Sequence, residues 1–180
     1  MIVEFKQYDA AQLQEIKTLF QNTFTDSEGE AEGKMVSELA YEALTTTDSQ
    51  DLYGFVAMDG ETLAGSIVFT RLMPANGAKA FLLSPVAVAT SYQKQGVGSA
   101  LINAALDVLK SEGVELVFTY GDPNYYGRVG FKQISEDVVK APCKLSFPEG
   151  WLGQSLVSKE IEAIAGETGC VAAMNKPEIW

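Results

Sequence analysis

The sequence predicts a single α+β domain, a mostly antiparallel sheet flanked by helices with one parallel strand pair at its centre, and three observations carry that reading. Two β-rich runs, 52–58 and 62–71, flank the turn pair Asp59-Gly60, the pattern of a hairpin. An apolar run at 80–89, an amphipathic stretch at 98–111 and a second apolar run at 114–120 form a strand–helix–strand unit, whose two strands should be parallel. The chain has 180 residues, 47% hydrophobic and 21% charged, which suits one globular domain with a core of its own.

Element by element, 3–7 alternates as a first strand, and Asp9 can cap a helix with Ala10, Leu13, Ile16, Leu19 and Phe20 at helical spacing. A second helix spans 29–44, with Met35, Val36, Leu39, Ala40 and Leu44 on one face and its acids on the other, and Thr45 to Ser49 break it. The hairpin follows, then a loop at 73–77 and the strand at 80–89. In the next helix Ala100, Leu101, Ala104, Ala105, Val108 and Leu109 share one stripe, and Gly113 ends it. Beyond the strand at 114–120, further strands are expected at 131–134 and 140–145, and a helix at 158–165. No repeat or linker interrupts the chain.

Composition excludes several classes of function. The net charge is −11 and the isoelectric point about 4.4, so the field of the chain repels nucleic acid and anionic membrane surfaces. The charge is uneven: 3 bases and 13 acids lie in 1–62, but 6 and 4 lie in 63–132, which leaves room for a local anion site there. With no histidine, imidazole-dependent triads, dyads and zinc sites are absent, and no metal is expected. Cys143 and Cys170 show no Cys-x-x-Cys spacing and read as two thiols of a reducing compartment. No apolar run reaches membrane-spanning length and the N-terminus has no signal-peptide pattern, so the expected location is the cytoplasm.

The chemistry concentrates in two segments. In the first, the strand ending Val86-Ala87-Val88 runs into Gln93-Lys94-Gln95-Gly96-Val97-Gly98-Ser99, which opens directly into a helix. Such a junction leaves free N–H groups at the positive end of the helix dipole, an anion site and most often a phosphate site. Gly96 and Gly98 admit a close backbone approach, Ser99 adds a hydroxyl and Lys94 a mobile charge. The segment lacks the Gly-Lys-Ser/Thr of a Walker loop, and Leu101 stands where a dinucleotide fingerprint needs its third glycine. In the second segment, Gly121-Asp122-Pro123-Asn124-Tyr125-Tyr126-Gly127-Arg128-Val129-Gly130-Phe131 begins where the second parallel strand ends, the edge at which α/β sheets bind ligands.

Together these segments resemble the GNAT superfamily of N-acetyltransferases: Gln93 to Gly98 is similar to its Gln/Arg-x-x-Gly-x-Gly/Ala acetyl-CoA motif, and Tyr126 with Gly130-Phe131 to its Tyr-x-x-x-Gly-Phe. The wording Gly-Asp-Pro-x-Tyr-Tyr-x-Arg-x-Gly-Phe resembles a bacterial subgroup of predicted acetyltransferases. The order of elements fits from residue 1 to about 145, leaving 146–180 as an extension of unassigned role. The resemblance implies that the parallel strands splay apart around acetyl-CoA, with its pantetheine on the backbone of Val86 and Val88, its pyrophosphate on the N–H groups of Gln95, Gly96, Val97, Gly98 and Ser99, and Gln93 and Lys94 contacting the phosphates through side chain or backbone. It implies direct acetyl transfer to a primary amine of a small molecule or peptide, with Tyr126 as the general acid. Asp122 is the nearest sequence candidate for a base, though a turn-forming role before Pro123 is the simpler reading. Two other readings remain: a non-catalytic acyl-CoA-binding or sensing domain of the same fold, and a nucleotide-binding regulatory protein. A homodimer stays open. Glu28, Glu30, Glu32, Glu38 and Glu42 cluster around the second helix, either as a solvated acidic face that keeps the chain soluble or, if they wall the acceptor side as the resemblance implies, as the mark of a cationic acceptor.

Overall fold

The computed structural model describes residues 2–180. Its elements are β1 (Val3–Gln7), α1 (Leu13–Glu28), α2 (Glu30–Thr46), β2 (Leu52–Asp59), β3 (Thr62–Met73), β4 (Ala80–Val88), α3 (Val97–Ser111), β5 (Leu116–Tyr120), α4 (Pro123–Gly127), β6 (Lys132–Gln133), β7 (Trp151–Ser155) and β8 (Gly169–Cys170). The strands form one sheet in the order β1-β2-β3-β4-β5-β7-β6, with β8 on β3. The pairings β1–β2, β3–β8, β5–β7 and β6–β7 are antiparallel, and β4–β5 is parallel. The expected fold class is therefore the observed one.

The chain divides into two compact units, one of residues up to Phe69 with Ser84–Ala105 and one of Thr70–Leu83 with Leu106–Trp180; β3, β4 and α3 run through both. In the first unit, Asp9 opens the helical region as predicted: its carboxylate accepts the Ala11 N–H at 2.8 Å while Gln12 returns a bond to the Asp9 N–H. Ile16, Leu19 and Phe20 of α1 and Val36, Leu39, Ala40 and Leu44 of α2 are buried, as are Phe55, Val56, Ile67, Val68 and Phe69 of the hairpin. That apolar stripe stabilises the helices, because each buried large side chain is worth about 1.5–3 kcal/mol.

In the second unit, Ala80 to Leu83 of β4 pair with Leu116 to Thr119 of β5, and β7 flanks β5 from Tyr120↔Trp151 to Leu116↔Ser155. The core is aromatic: Phe118 stacks on Trp151 with ring centroids 5.2 Å apart, and the Trp151 indole donates to the Val139 carbonyl at 2.9 Å.

The C-terminal third departs from expectation. Residues 140–145 form no strand and 158–165 no helix, while Trp151–Ser155, unassigned in sequence, is a central strand, and Pro123–Gly127 is a short helix. Pro142 cannot donate to a ladder, which disfavours a strand at 140–145. Gly153 hid β7, since glycine weakens any strand signal. Here a side chain is excluded: a Cβ would fall 2.9 Å from Ile161 and 3.0 Å from Phe118.

Candidate active site

The first candidate segment is built on the end of β4. The Lys79 carbonyl accepts from the Glu115 N–H at 2.8 Å, and the Leu83 carbonyl accepts from Thr119 Oγ1 at 2.8 Å, so odd-numbered residues here present their backbone to β5. Six residues later the Ala89 N–H donates to Ala64 of β3 at 2.8 Å. Residues an even number apart face the same neighbour in an uninterrupted strand, so β4 changes sides once between Leu83 and Ala89, the signature of a bulge. Pro85, which has no N–H to pair, lies within that interval. The recorded β5 register stops at Leu83↔Thr119. Val88, next to Ala89, thus turns its backbone N–H and C=O groups away from β3, and among the described residues the β5 register does not reach it.

The Val88 carbonyl is held by side chains instead: Gln93 Nε2 donates to it at 2.9 Å and Thr23 Oγ1 approaches at 3.5 Å. The Gln93 side chain is therefore turned back on the strand, which leaves its backbone as the route to phosphate. The segment that follows is pinned by three bonds, from the Ala89 N–H to Ala64, from Thr90 Oγ1 to Asp26 at 2.7 Å and from the Tyr92 hydroxyl to Asp59 at 2.7 Å. The Asp59 bond also holds the Tyr92 phenol above its usual pKa. Between these anchors and α3, Lys94 takes a left-handed φ of +61° and Gly96 one of +81°. A lysine in that region is strained, and strain of this kind concentrates at functional turns. Ala100 donates to Gly96, but among the described residues the N–H groups of Lys94, Gln95, Gly96, Val97, Gly98 and Ser99 make no hydrogen bond of good distance and angle. Six consecutive open donors at the N-terminus of a fifteen-residue helix make a cradle for an anion with several oxygens.

The second candidate segment, in the other unit, is the turn after β5. Asp122, expected as a turn-forming residue before Pro123, caps the short helix α4, accepting the Asn124 N–H at 2.9 Å. Tyr126 sits on α4 with its ring edge-on to Tyr125 at 5.0 Å and to Phe131 at 5.8 Å. Its carbonyl accepts the Phe131 N–H at 3.2 Å, so the spacing Tyr-x-x-x-Gly-Phe is the length of one closed loop, with Gly130 at a φ of +92°. Part of the Tyr126 ring stays exposed while its hydroxyl lies at the buried end beside Thr119. Burial pushes this phenol up to about 12, and the hydrogen bond with Thr119 offsets only part of the effect. Thr119 itself is 1% exposed. A threonine inside an apolar strand gave the sequence reading no cue to that contact.

A model of the acetyltransferase (GNAT) family matches residues 13–131, two-thirds of the chain and both motif segments. The chain belongs to the GNAT family. It is 32% identical over 113 residues to an uncharacterized N-acetyltransferase, YjhQ, of Escherichia coli; the match spans 59% of this chain and 61% of that relative's length. The fold of this GNAT chain is similar to that of the E. coli family member YhbS in complex with CoA, with a TM-score of 0.77, 23% identity and coverage of 97% of this chain and 92% of the other. A GNAT acetyltransferase of Brucella melitensis in complex with acetyl-CoA aligns at a TM-score of 0.68 and 23% identity, covering 96% and 97%. Among the described residues no cluster of His, Cys, Asp and Glu could hold a metal ion, and no helix is long and apolar enough to cross a membrane.

Proposed function

We propose that this chain moves an acetyl group from acetyl-CoA directly to a primary amine. The observation that carries the reading is the row of amides from Lys94 to Ser99, which make no well-formed hydrogen bond among the described residues, following a strand end whose Val88 carbonyl accepts from side chains rather than from a neighbouring strand. A pyrophosphate on those amides satisfies the donors and the positive end of the α3 dipole together. Lys94 adds a charge and Ser99 a hydroxyl. An amide-rich pantetheine adds to Val86 and Val88 as a short strand, displacing the Gln93 amide from the Val88 carbonyl.

In the reaction the ammonium acceptor first gives a proton to water, the free amine nitrogen attacks the acetyl carbon, and the carbonyl electrons move onto oxygen. The Val88 N–H donates to that oxyanion, an interaction worth on the order of 3 kcal/mol. The carbon–sulfur bond then breaks and the thiolate takes a proton from Tyr126, while the ammonium proton leaves to water. Asp122 is committed to its cap and is not assigned as base. The resemblance to a bacterial subgroup, an intracellular location and a one-domain organisation belong to the same proposal.

The acceptor in this reading is cationic before it reacts. A groove of about 700 Å³ lies along α1, floored by Leu19, Leu63 and Ala89 and bordered by Glu15, Asp26 and Glu61, with no Lys or Arg in its lining. It reaches Thr23, the residue beside the Val88 carbonyl. The acids expected to serve, Glu28, Glu30, Glu32, Glu38 and Glu42, do not line it. Acetyl-CoA turnover across amines of graded charge, followed by thiol release, tests both claims. Diamines should be the best acceptors, and their kcat/KM should fall steeply with salt, since exposed charges are screened over about 8 Å at physiological ionic strength. Glu15→Lys with Glu61→Lys should raise KM for the diamine alone. Salt-independent turnover, or a neutral best acceptor, removes the cationic assignment; tight acetyl-CoA binding with no turnover on any amine favours a sensing domain, a reading to which the deep burial of the Tyr126 hydroxyl also points.

A further inference from the structure

We propose that Trp180 and Tyr120 are positioning residues for Tyr126, and that the segment from Ser146 onward serves as a brace for the turn carrying it. This rests on the reading of Tyr126 as the acid.

Each link of the brace is a contact. The Trp180 indole is 4% exposed and stacks on Tyr120 at the end of β5, with centroids 5.8 Å apart. It also meets Trp151 edge-on at 5.9 Å, and its N–H donates to the Met174 carbonyl at 2.8 Å. From there Trp180 and Tyr120 clamp one stretch of backbone from two sides: the Ser146 N–H donates to the Trp180 carbonyl at 3.2 Å, and the Phe147 N–H donates to the Tyr120 hydroxyl at 2.6 Å. Three residues on, the Gly150 carbonyl accepts the Gly121 N–H at 3.0 Å. The approach there is so close that a Cβ on Gly150 would lie 3.1 Å from the Gly121 carbonyl oxygen and 2.7 Å from the Phe147 ring. Gly121 in turn backs directly onto Tyr126, where a Cβ would fall 2.9 Å from the ring. The phenol position is thus set on one side by Phe131 and Tyr125 and on the other by a backbone that Trp180 and Tyr120 hold in place. Misplacing a catalytic group by about 1 Å can cost as much as 100-fold in rate, so a brace of this kind has a kinetic consequence.

The test uses Trp180→Ala, Trp180→Phe and Tyr120→Phe, with three readouts: kcat, acetyl-CoA affinity, and NMR titration of the Tyr126 ring carbon, assigned by its loss in Tyr126→Phe. The charged or ionisable groups facing that phenol are Asp122 and Tyr125, with the Thr119 hydroxyl, and none is altered. In the wild type the Tyr126 ring should stay un-ionised through pH 11. In Trp180→Ala it should titrate close to the ordinary value of about 10, because water reaches the loosened turn. The same variant should lose roughly 10-fold or more in kcat, with acetyl-CoA affinity unchanged, and Trp180→Phe should restore most of the loss. Should Trp180→Ala not fold, Tyr120→Phe decides, since it keeps the ring stack and removes only the hydroxyl that accepts the Phe147 N–H and bonds Ser146 Oγ. Wild-type kcat with Tyr126 still un-ionised at pH 11 overturns the brace, as does a fall in kcat without any change in the Tyr126 titration. If Tyr126→Phe itself keeps full activity, the acid role fails and the NMR titration alone judges the brace.

Discussion

Tyr126→Phe should lower kcat by roughly 10- to 1000-fold with little change in acetyl-CoA binding, since it removes only the proton donor. The substitution deletes one buried hydroxyl and keeps the ring packed against Tyr125 and Phe131. Its pH signature separates this residue from other groups. The folded-state pKa of about 12 lies above the unfolded value of about 10, so the folded protein keeps a proton that the unfolded chain releases. The proton is in place at every physiological pH, and an alkaline fall in rate below pH 11 should be the same in wild type and variant. The linked stability is lost as pH rises from about 10 to 12, at most about 1.4 kcal/mol per pH unit, and Tyr126→Phe should abolish that part of the alkaline loss. Wild-type kcat in the variant, with chemistry rate-limiting, ends the general-acid role.

Gly98→Glu should remove acetyl-CoA binding from a chain that still folds. Gly98 lies in the first turn of α3, with its N–H among the six unpaired donors. A glutamate there adds bulk and a negative charge where the helix dipole and Lys94 favour an anion. On the helix itself the change is mild, because glutamate is a better helix former than glycine and suits an N-terminal turn. Circular dichroism and thermal unfolding should therefore match the wild type while acetyl-CoA affinity falls at least about 100-fold, roughly two backbone–phosphate hydrogen bonds. Undiminished affinity in the folded variant would mean that the anion sits elsewhere.

The parts of this protein legible in its sequence are those governed by local chemistry. Asp9 as a cap, the Asp59-Gly60 hairpin and the glycine-rich entry to α3 each depend on residues within one turn of chain, and each stands where the pattern put it. The same holds for Tyr126, whose spacing to Phe131 is the span of one hydrogen-bonded loop. What was not legible depends on distant partners. Trp151–Ser155 is a strand because β5 pairs with it and because Phe118 leaves no room for a side chain at Gly153. Gln93 matches the family motif, yet its amide reaches back to Val88, and only the coordinates of β4 show why that carbonyl is free to accept. The bulge between Leu83 and Ala89 is equally hidden, since Pro85 alone would fit an edge strand as well. Trp180 carries no motif at all; its role follows from what the chain folds against it.

The central claim is that the amides of Lys94 to Ser99 receive the pyrophosphate of acetyl-CoA. Backbone amide NMR of the folded protein during titration with acetyl-CoA tests it directly. The account predicts that the N–H resonances of these six residues shift downfield together and saturably, as each gains a charge-assisted hydrogen bond, and that Val86 and Val88 move with them as pantetheine pairs with the strand. Saturable binding that leaves the six amides unmoved, or no binding at all, would contradict it.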